Sequence, residues 1–275
     1  MQQDKERMKP TGRRDWGSHG FTLMLAVLGG LILLFILAPL FKMVFLSDKQ
    51  ALWLALTDHE TMRSIGLTIY AALMATAIGF FLGVPLAYLL ARYEFPGKRI
   101  VEALVDLPIV VPHSAAGIAL LFVFGSNFRM GEAFGKAGIK FVDSVAGIVI
   151  AMLFVSVPIL ISAARESFRK VDVRLEKVAR TLGASPWQVF ARVTFPLAWR
   201  SILAGSLMMW ARGMSEFGAV IILTYHPTVA PILVYERFET YGLAQAIPVA
   251  AIMIVISAMI FAGIQTLLRR SPDYD

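Results

Sequence analysis

The 275-residue chain contains no cysteine, which removes disulfide frameworks, thiolate metal sites and thiol nucleophiles from consideration. Charge is also scarce, with 16% of the residues Asp, Glu, Lys or Arg, against about 25% in an ordinary soluble domain. No Gly-x4-Gly-Lys-Ser/Thr loop occurs, so a P-loop nucleotide site is not expected in this chain. His19, His59 and His226 are scattered and form no metal cluster with carboxylates, so neither a metal nor another cofactor is expected. A nucleophile, base and orienting acid in a credible constellation are equally missing, which counts against a membrane-embedded enzyme.

What is abundant is apolar sequence. Hydrophobic residues make up 57% of the chain, the mean hydropathy is +0.69, and the apolar residues gather in uncharged runs at 20–41, 65–91, 107–128, 144–164 and 240–268. Each is long enough to cross about 30 Å of hydrocarbon. A sixth segment, 197–224, is apolar apart from Arg200, Arg212 and Glu216. The expectation is therefore an all-α membrane protein with six transmembrane helices. The first run follows Lys5, Arg7, Lys9, Arg13 and Arg14; it is too long for a signal peptide and lacks a small-x-small cleavage site, so a retained span is expected.

The formal net charge of +7 does not point to nucleic acid, because the basic residues sit between apolar runs and not on one face. They set orientation instead. With the amino terminus inside, 18 of the 26 Lys and Arg fall on the cytoplasmic side, 7 on the opposite side, and Arg212 within a span. That bias places both termini in the cytoplasm. The expected layout is a basic tail at 1–19, a first transmembrane helix at 20–46, the main transmembrane domain at 61–268 and a second tail at 269–275. No internal repeat is visible, which lowers the weight of an inverted-repeat secondary transporter; a proton-coupled carrier using Glu216 or Asp106 stays as a rival.

The stretch 169–196 is too polar for a span and too long for a plain connection. Over 171–182, Leu175, Val178, Ala179 and Leu182 recur at helical spacing while Arg174, Glu176, Lys177 and Arg180 take the other face, which predicts an amphipathic helix. Gly183 stands where a left-handed terminating residue is wanted. Ser185, Pro186 and Gln188 then read as an N-cap, a first-turn proline and the partner of a capping box, opening a second short helix over 186–194 that is expected to end ahead of Pro196. A surface hairpin resting on lipid headgroups is the plainer alternative.

Inside the membrane, Arg212 and Glu216 stand four residues apart, sharing a face with Ser215 and Ala219. Charges at this depth point indoors or into a wet path; a structural ion pair and a pathway role are both open. The third run carries Pro108 and Pro112, whose missing N–H groups free backbone carbonyls. A kink is expected there, next to His113 and Ser114. Irregular backbone at membrane depth survives where it is buried in protein or lines water, which makes His113 and Ser114 candidates for an anion path.

Two levels of family likeness follow from these residues. Lys177-Val178-Ala179, Gly183 and Val193-Thr194-Phe195-Pro196 resemble, in spacing, the Glu-Ala-Ala, x3, Gly, x9, Ile-x-Leu-Pro signature of ATP-binding-cassette importer permeases, with Lys177 in place of the Glu and Glu176 one position earlier. The resemblance implies a coupling helix whose ATPase contact involves Glu176, Lys177, Ala179, Arg180, Gly183, Ala184 and Ser185. The blocks from Asp106 to His113, from Ala116 to Leu121, from Trp210 to Ala219 and from Ala230 to Phe238 look like the molybdate and tungstate branch of these permeases, with the sulfate and thiosulfate permeases as the nearest alternative. That branch implies an inner-membrane homodimer with two ATPase subunits below and an extracytoplasmic oxyanion-binding protein above.

Overall fold

The computed structural model describes residues 16–45 and 47–269. Among them no strand occurs, as the all-α expectation requires. The chain divides into two compact units, one holding the first helix and the other running from Ser47 onward. The first helix, α1 (Trp16–Phe45), exposes Phe21, Leu25, Leu28, Ile32 and Phe35 around its circumference. A helix apolar on all sides suits lipid better than water.

The second unit begins with α2 (Lys49–Thr57), α3 (His59–Arg92), α4 (Lys98–Val110), α5 (His113–Phe124), α6 (Arg129–Lys136) and α7 (Val145–Lys170). It continues through α8 (Val173–Thr181), α9 (Pro186–Val189), α10 (Phe195–Met214), α11 (Gly218–Leu223), α12 (Ala230–Tyr241) and α13 (Leu243–Arg269). Its centre is a three-helix contact of α3, α7 and α10. Small residues make that possible: Ala72, Ala75, Gly79, Gly83 and Ala87 recur at three- and four-residue spacing along α3 and are buried, letting neighbouring backbones approach closely. A Cβ on Gly79 would stand 2.5 Å from Met209 Cε, and one on Gly205 would stand 2.6 Å from Ala163 Cβ.

Several buried hydroxyls in this bundle are satisfied inside their own helices. Thr68 donates to the carbonyl of Ser64, Thr76 to Ala72, Ser167 to Ala163 and Ser206 to Ile202, which removes the cost of an unpaired polar group in apolar surroundings.

Among the described residues four helices, α1, α3, α7 and α13, are long and apolar enough to cross a membrane, and α4 with α5 makes a fifth if that bent pair is one span. The run 107–128 is therefore not one straight helix: α4 and α5 meet at 116°, with Pro112 at the N-cap of α5. The expected kink falls at that proline. The segment 197–224 is also interrupted, since α10 stops at Met214 and α11 starts at Gly218.

One expected boundary is overturned. The helix starting at Pro186 does not end ahead of Pro196, because residues Phe190–Thr194 form a π-turn that leads straight into α10. The N–H of Phe195 donates to the carbonyl of Phe190, five residues back. Widening the helix by one residue makes room for the Pro196 ring and absorbs its missing donor, which would otherwise break an α-helix.

Candidate functional site

The interruptions at Pro112 and Ser215 meet. His113, the first residue of α5, lies 3.2 Å through Nδ1 from Glu216 Oε2, and Arg212 Nη2 stands 3.1 Å from the same carboxylate oxygen. The same guanidinium nitrogen is 3.2 Å from His113 Nδ1 and 3.0 Å from Nε2. Arg212 Nη1 donates to Ser215 Oγ at 3.3 Å, while that hydroxyl donates to the carbonyl of Arg212 at 3.0 Å. The charges differ in setting: Glu216 is 1% exposed, whereas the Arg212 and His113 side chains are 27% and 39% exposed.

Local structure explains why Glu216 can be so deeply placed. It does not lie on a regular helical turn with Arg212, as the four-residue spacing suggests, but in the break between α10 and α11. There its Oε1 accepts from the backbone N–H of Ala219, satisfying a donor in the first turn of α11. Close packing of α5 on α11 brings His113 to the pair. A Cβ on Gly218 would lie 2.9 Å from His113 Cβ, and one on Gly117 would lie 2.9 Å from the carbonyl oxygen of Ala219. Ser114, in the same first turn of α5, is exposed. The arrangement is a buried carboxylate shared by a guanidinium and an imidazole that each keep a side open. Such a cluster can offer a guanidinium to an anion without leaving a bare charge indoors.

The polar stretch between α7 and α10 is a helix-turn-helix. Asp172 caps α8 by accepting from the N–H of Arg174. At the other end Gly183 has φ +89, its N–H donates to the carbonyl of Arg180, and that of Ala184 donates to Ala179, a Schellman closure. Ser185 and Gln188 then form both bonds of the capping box. The turn is thus stiff and ends in small residues.

Its orientation is the reverse of what an amphipathic surface helix suggests. Leu175, Val178 and Leu182 point outward, Leu182 being 83% exposed, and Trp187 of α9 is 72% exposed. Lys177, Arg180, Gly183 and Ser185 are also exposed, with Ala179 and Ala184 half-buried. Glu176, expected at the ATPase contact, is instead the buried residue of α8, turned inward because its Oε1 accepts from Arg92 Nε at 2.8 Å and from Thr194 Oγ1 at 2.9 Å.

Arg92 and Thr194 were not legible as members of this site. Two further polar groupings were also missed. Glu102 and Asp106 of α4 face Arg165 and Arg169 of α7 at 3.0 to 3.9 Å, with Ser162 donating to Asp106. Asp58, the N-cap of α3, binds Thr61 and Arg237 of α12; the Thr61 hydroxyl bond, followed by Arg237, holds its carboxyl at about 2, outweighing the opposing effect of desolvation. A cavity of about 520 Å³ opens beside this pair, lined by Asp58, Glu60, Leu233, Arg237 and Tyr241, and shares no residue with the His113 cluster.

Comparison with known proteins gives three consistent findings. Residues 83–272 match the family described as binding-protein-dependent transport system inner membrane component. The chain is 42% identical over 261 residues to the molybdate/tungstate transport system permease protein of Thermococcus kodakarensis, covering 94% of this chain and 98% of that protein. A probable sulfate transport system permease protein of Chlorokybus atmophyticus is 34% identical over 77% of this chain and 76% of its own. Among solved structures, a bacterial ABC transporter involved in the import of alginate matches with a TM-score of 0.73 at 18% identity, covering 94% of this chain and 97% of that one; the methionine ABC transporter in an inward-facing form gives 0.62 at 15%, over 81% of this chain and 98% of its own.

Proposed function

This chain belongs to the family of binding-protein-dependent transport system inner membrane components, and on that premise we propose that it is the permease subunit of an ATP-driven importer of molybdate or tungstate. The observation that carries the reading is spatial. Two sequence blocks shared in likeness with the molybdate and tungstate branch, Asp106 to His113 and Trp210 to Ala219, converge on one cluster where His113 meets Arg212 and Glu216.

In this reading the chain crosses the inner membrane six times, through α1, α3, the α4–α5 pair, α7, the α10–α11 pair and α13, with both termini in the cytoplasm. The domain 61–268 forms the path together with a second copy of the chain. His113, Ser114, Arg212, Ser215 and Glu216 gate it: a divalent oxyanion competes with Glu216 for Arg212, and Glu216 recovers the guanidinium when the anion leaves. The buried carboxylate keeps the resting site neutral and disfavours a standing anion leak.

The unit 169–196 is the coupling region that docks on the ATPase subunit, one copy per permease. Exposed Leu182, Val178 and Trp187 supply apolar contact of the kind that anchors interfaces, and Lys177, Arg180, Gly183, Ala184 and Ser185 frame it. An extracytoplasmic binding protein delivers the oxyanion. Sulfate is the second reading, favoured by the likeness to sulfate permeases.

Proteoliposomes holding the permease, its ATPase and its binding protein test the proposal. Molybdate or tungstate should stimulate ATP hydrolysis and accumulate inside, and phosphate should do neither. Preferential uptake of sulfate would move the substrate assignment to the sulfate branch; uptake driven by a proton gradient without the ATPase would overturn the importer reading.

A further inference from the structure

Resting on that ATP-coupled reading, we propose that Glu176, gripped by Arg92 and Thr194, is the positioning residue through which displacement of the docking helix α8 reaches the membrane helices α3 and α10.

The geometry of α8 carries this. Its apolar residues Leu175 and Val178 point outward, and Glu176 is the buried residue along its length. The helix is therefore fastened to the bundle by a carboxylate and not by an apolar seam. Glu176 Oε1 accepts from Arg92 Nε at 2.8 Å and from Thr194 Oγ1 at 2.9 Å. Arg92 is the last residue of α3, and its Nη2 donates at 2.8 Å to the carbonyl of Val171, the C-cap of α7. Thr194 closes the π-turn that runs into α10. One oxygen atom thus links α8 directly to α3 and to the start of α10, and through Arg92 to the end of α7.

The surroundings make the link stiff. The Arg92 and Glu176 side chains are 9% and 4% exposed and Thr194 is fully buried. Tyr88, four residues before Arg92 on α3, packs with Phe168 and Phe190, the Tyr88 and Phe190 ring centroids 4.8 Å apart. In such low-dielectric surroundings charge-assisted bonds are short and strong, and resist exchange with water. An apolar residue at position 176 would fill the same space without the desolvation cost, but it could slide. A carboxylate held from two sides cannot move without pulling on its partners.

The π-turn gives the pull something to change. A π-turn carries one residue more than an α-helical turn, so its conversion re-phases the following helix by about 100°. Thr194 is the residue of that turn held by Glu176, so the position of α8 biases the phase of α10. Arg212 lies near the far end of the same helix.

The test uses the complete complex of permease, ATPase and binding protein in proteoliposomes, with molybdate as the transported probe. Three quantities are read: ATPase retained on pull-down, ATP hydrolysed, and molybdate taken up per ATP. Thr194→Val removes the hydroxyl while leaving the ion pair, and Glu176→Gln removes the charge while keeping the shape. Both should retain ATPase and hydrolysis while uptake per ATP falls by about fivefold or more; Thr194→Ser should restore it. Unchanged uptake per ATP in Thr194→Val overturns the proposal even if Glu176→Gln fails to assemble. Loss of ATPase retention in Thr194→Val also overturns it, because the cluster would then shape the docking surface only. Wild-type permease that retains no ATPase would instead bring down the importer reading.

Discussion

The Glu216 carboxylate accepts a 2.9 Å hydrogen bond from the backbone N–H of Ala219, so the acid that pairs with Arg212 also holds the first turn of α11. The two partners differ in burial, so the pair is asymmetric. Arg212→Ala strands a carboxylate that is 1% exposed and should cost about 3 to 5 kcal/mol. Glu216→Ala should cost less, about 1 to 3 kcal/mol, because the Arg212 guanidinium it leaves is partly solvated and keeps Ser215, so that the main loss is the acceptor of the Ala219 N–H. The double variant should recover most of the Arg212→Ala loss but stay below wild type by about 1 kcal/mol, the value of a helix cap. Thermal unfolding in detergent checks the order; Glu216→Ala as the worst of the three would contradict it.

The α5–α11 contact predicts a contrast between glycines. A Cβ at Gly117 would lie 2.8 Å from Ile222 Cβ as well as against the Ala219 carbonyl, so Gly117→Ala should destabilise by about 1 to 3 kcal/mol and push His113 away from Arg212. Gly66 in α3 has nothing within 4 Å of such a Cβ. Gly66→Ala should therefore stabilise by up to about 1 kcal/mol through helix propensity. Equal shifts in unfolding temperature for the two would show that the close approach is not limiting.

Features governed by neighbours three or four residues apart were readable in the sequence. The capping box of Ser185 and Gln188, the left-handed Gly183 and the break at Pro112 all follow from local backbone rules. The inward turn of Glu176 was not readable, because its partners lie 84 and 18 residues away. Periodicity tells which residues share a face and is silent on which face is covered, so Leu175, Val178 and Leu182 were grouped correctly without their exposure being visible. Arg212 and Glu216 were paired by helical spacing, yet they meet across a helix break. The π-turn ahead of Pro196 likewise has no pattern of its own.

Gly183 offers a test of the proposed docking role of its turn that packing does not confound. Its φ of +89 lies in the left-handed region, and a Cβ there would meet nothing within 4 Å. Gly183→Asn should be nearly neutral, while Gly183→Arg should add about 1 to 2 kcal/mol of backbone strain and place a bulky cation on the docking surface. The arginine variant should insert normally but lose the ATPase on pull-down. Normal recovery of the ATPase would leave the turn as a lipid-surface hairpin.

Asp58 gives the pH dependence. Its carboxyl is lowered from 3.8 to about 2 by the Thr61 hydroxyl and by Arg237. Because the folded value lies below the unfolded one, the ionised group stabilises the fold above about pH 4, and that contribution is lost as the pH falls toward 2. Asp58→Ala should cost about 1 kcal/mol at neutral pH through loss of the cap. The gap in unfolding temperature between wild type and Asp58→Ala should shrink on acidification across that window; a gap independent of pH would mean that the carboxylate charge contributes nothing.

The absence of cysteine allows membrane topology to be read with single introduced thiols, and the bent α4–α5 pair makes the outcome decisive. If the pair crosses the membrane, the chain on either side of it lies on opposite faces. Lys98→Cys should then be cytoplasmic, Lys136→Cys extracytoplasmic and Val178→Cys cytoplasmic again. If the pair instead enters and returns on one side, Lys136 stays with Lys98, α7 crosses in the other direction, and Val178 moves outside. A membrane-impermeant maleimide applied to intact cells should label Lys136→Cys at once, and Lys98→Cys and Val178→Cys only after permeabilisation. Labelling of Val178→Cys in intact cells would reduce the crossings and remove the docking turn from the side where ATP is found, so the coupling proposal would fall with the six-span topology.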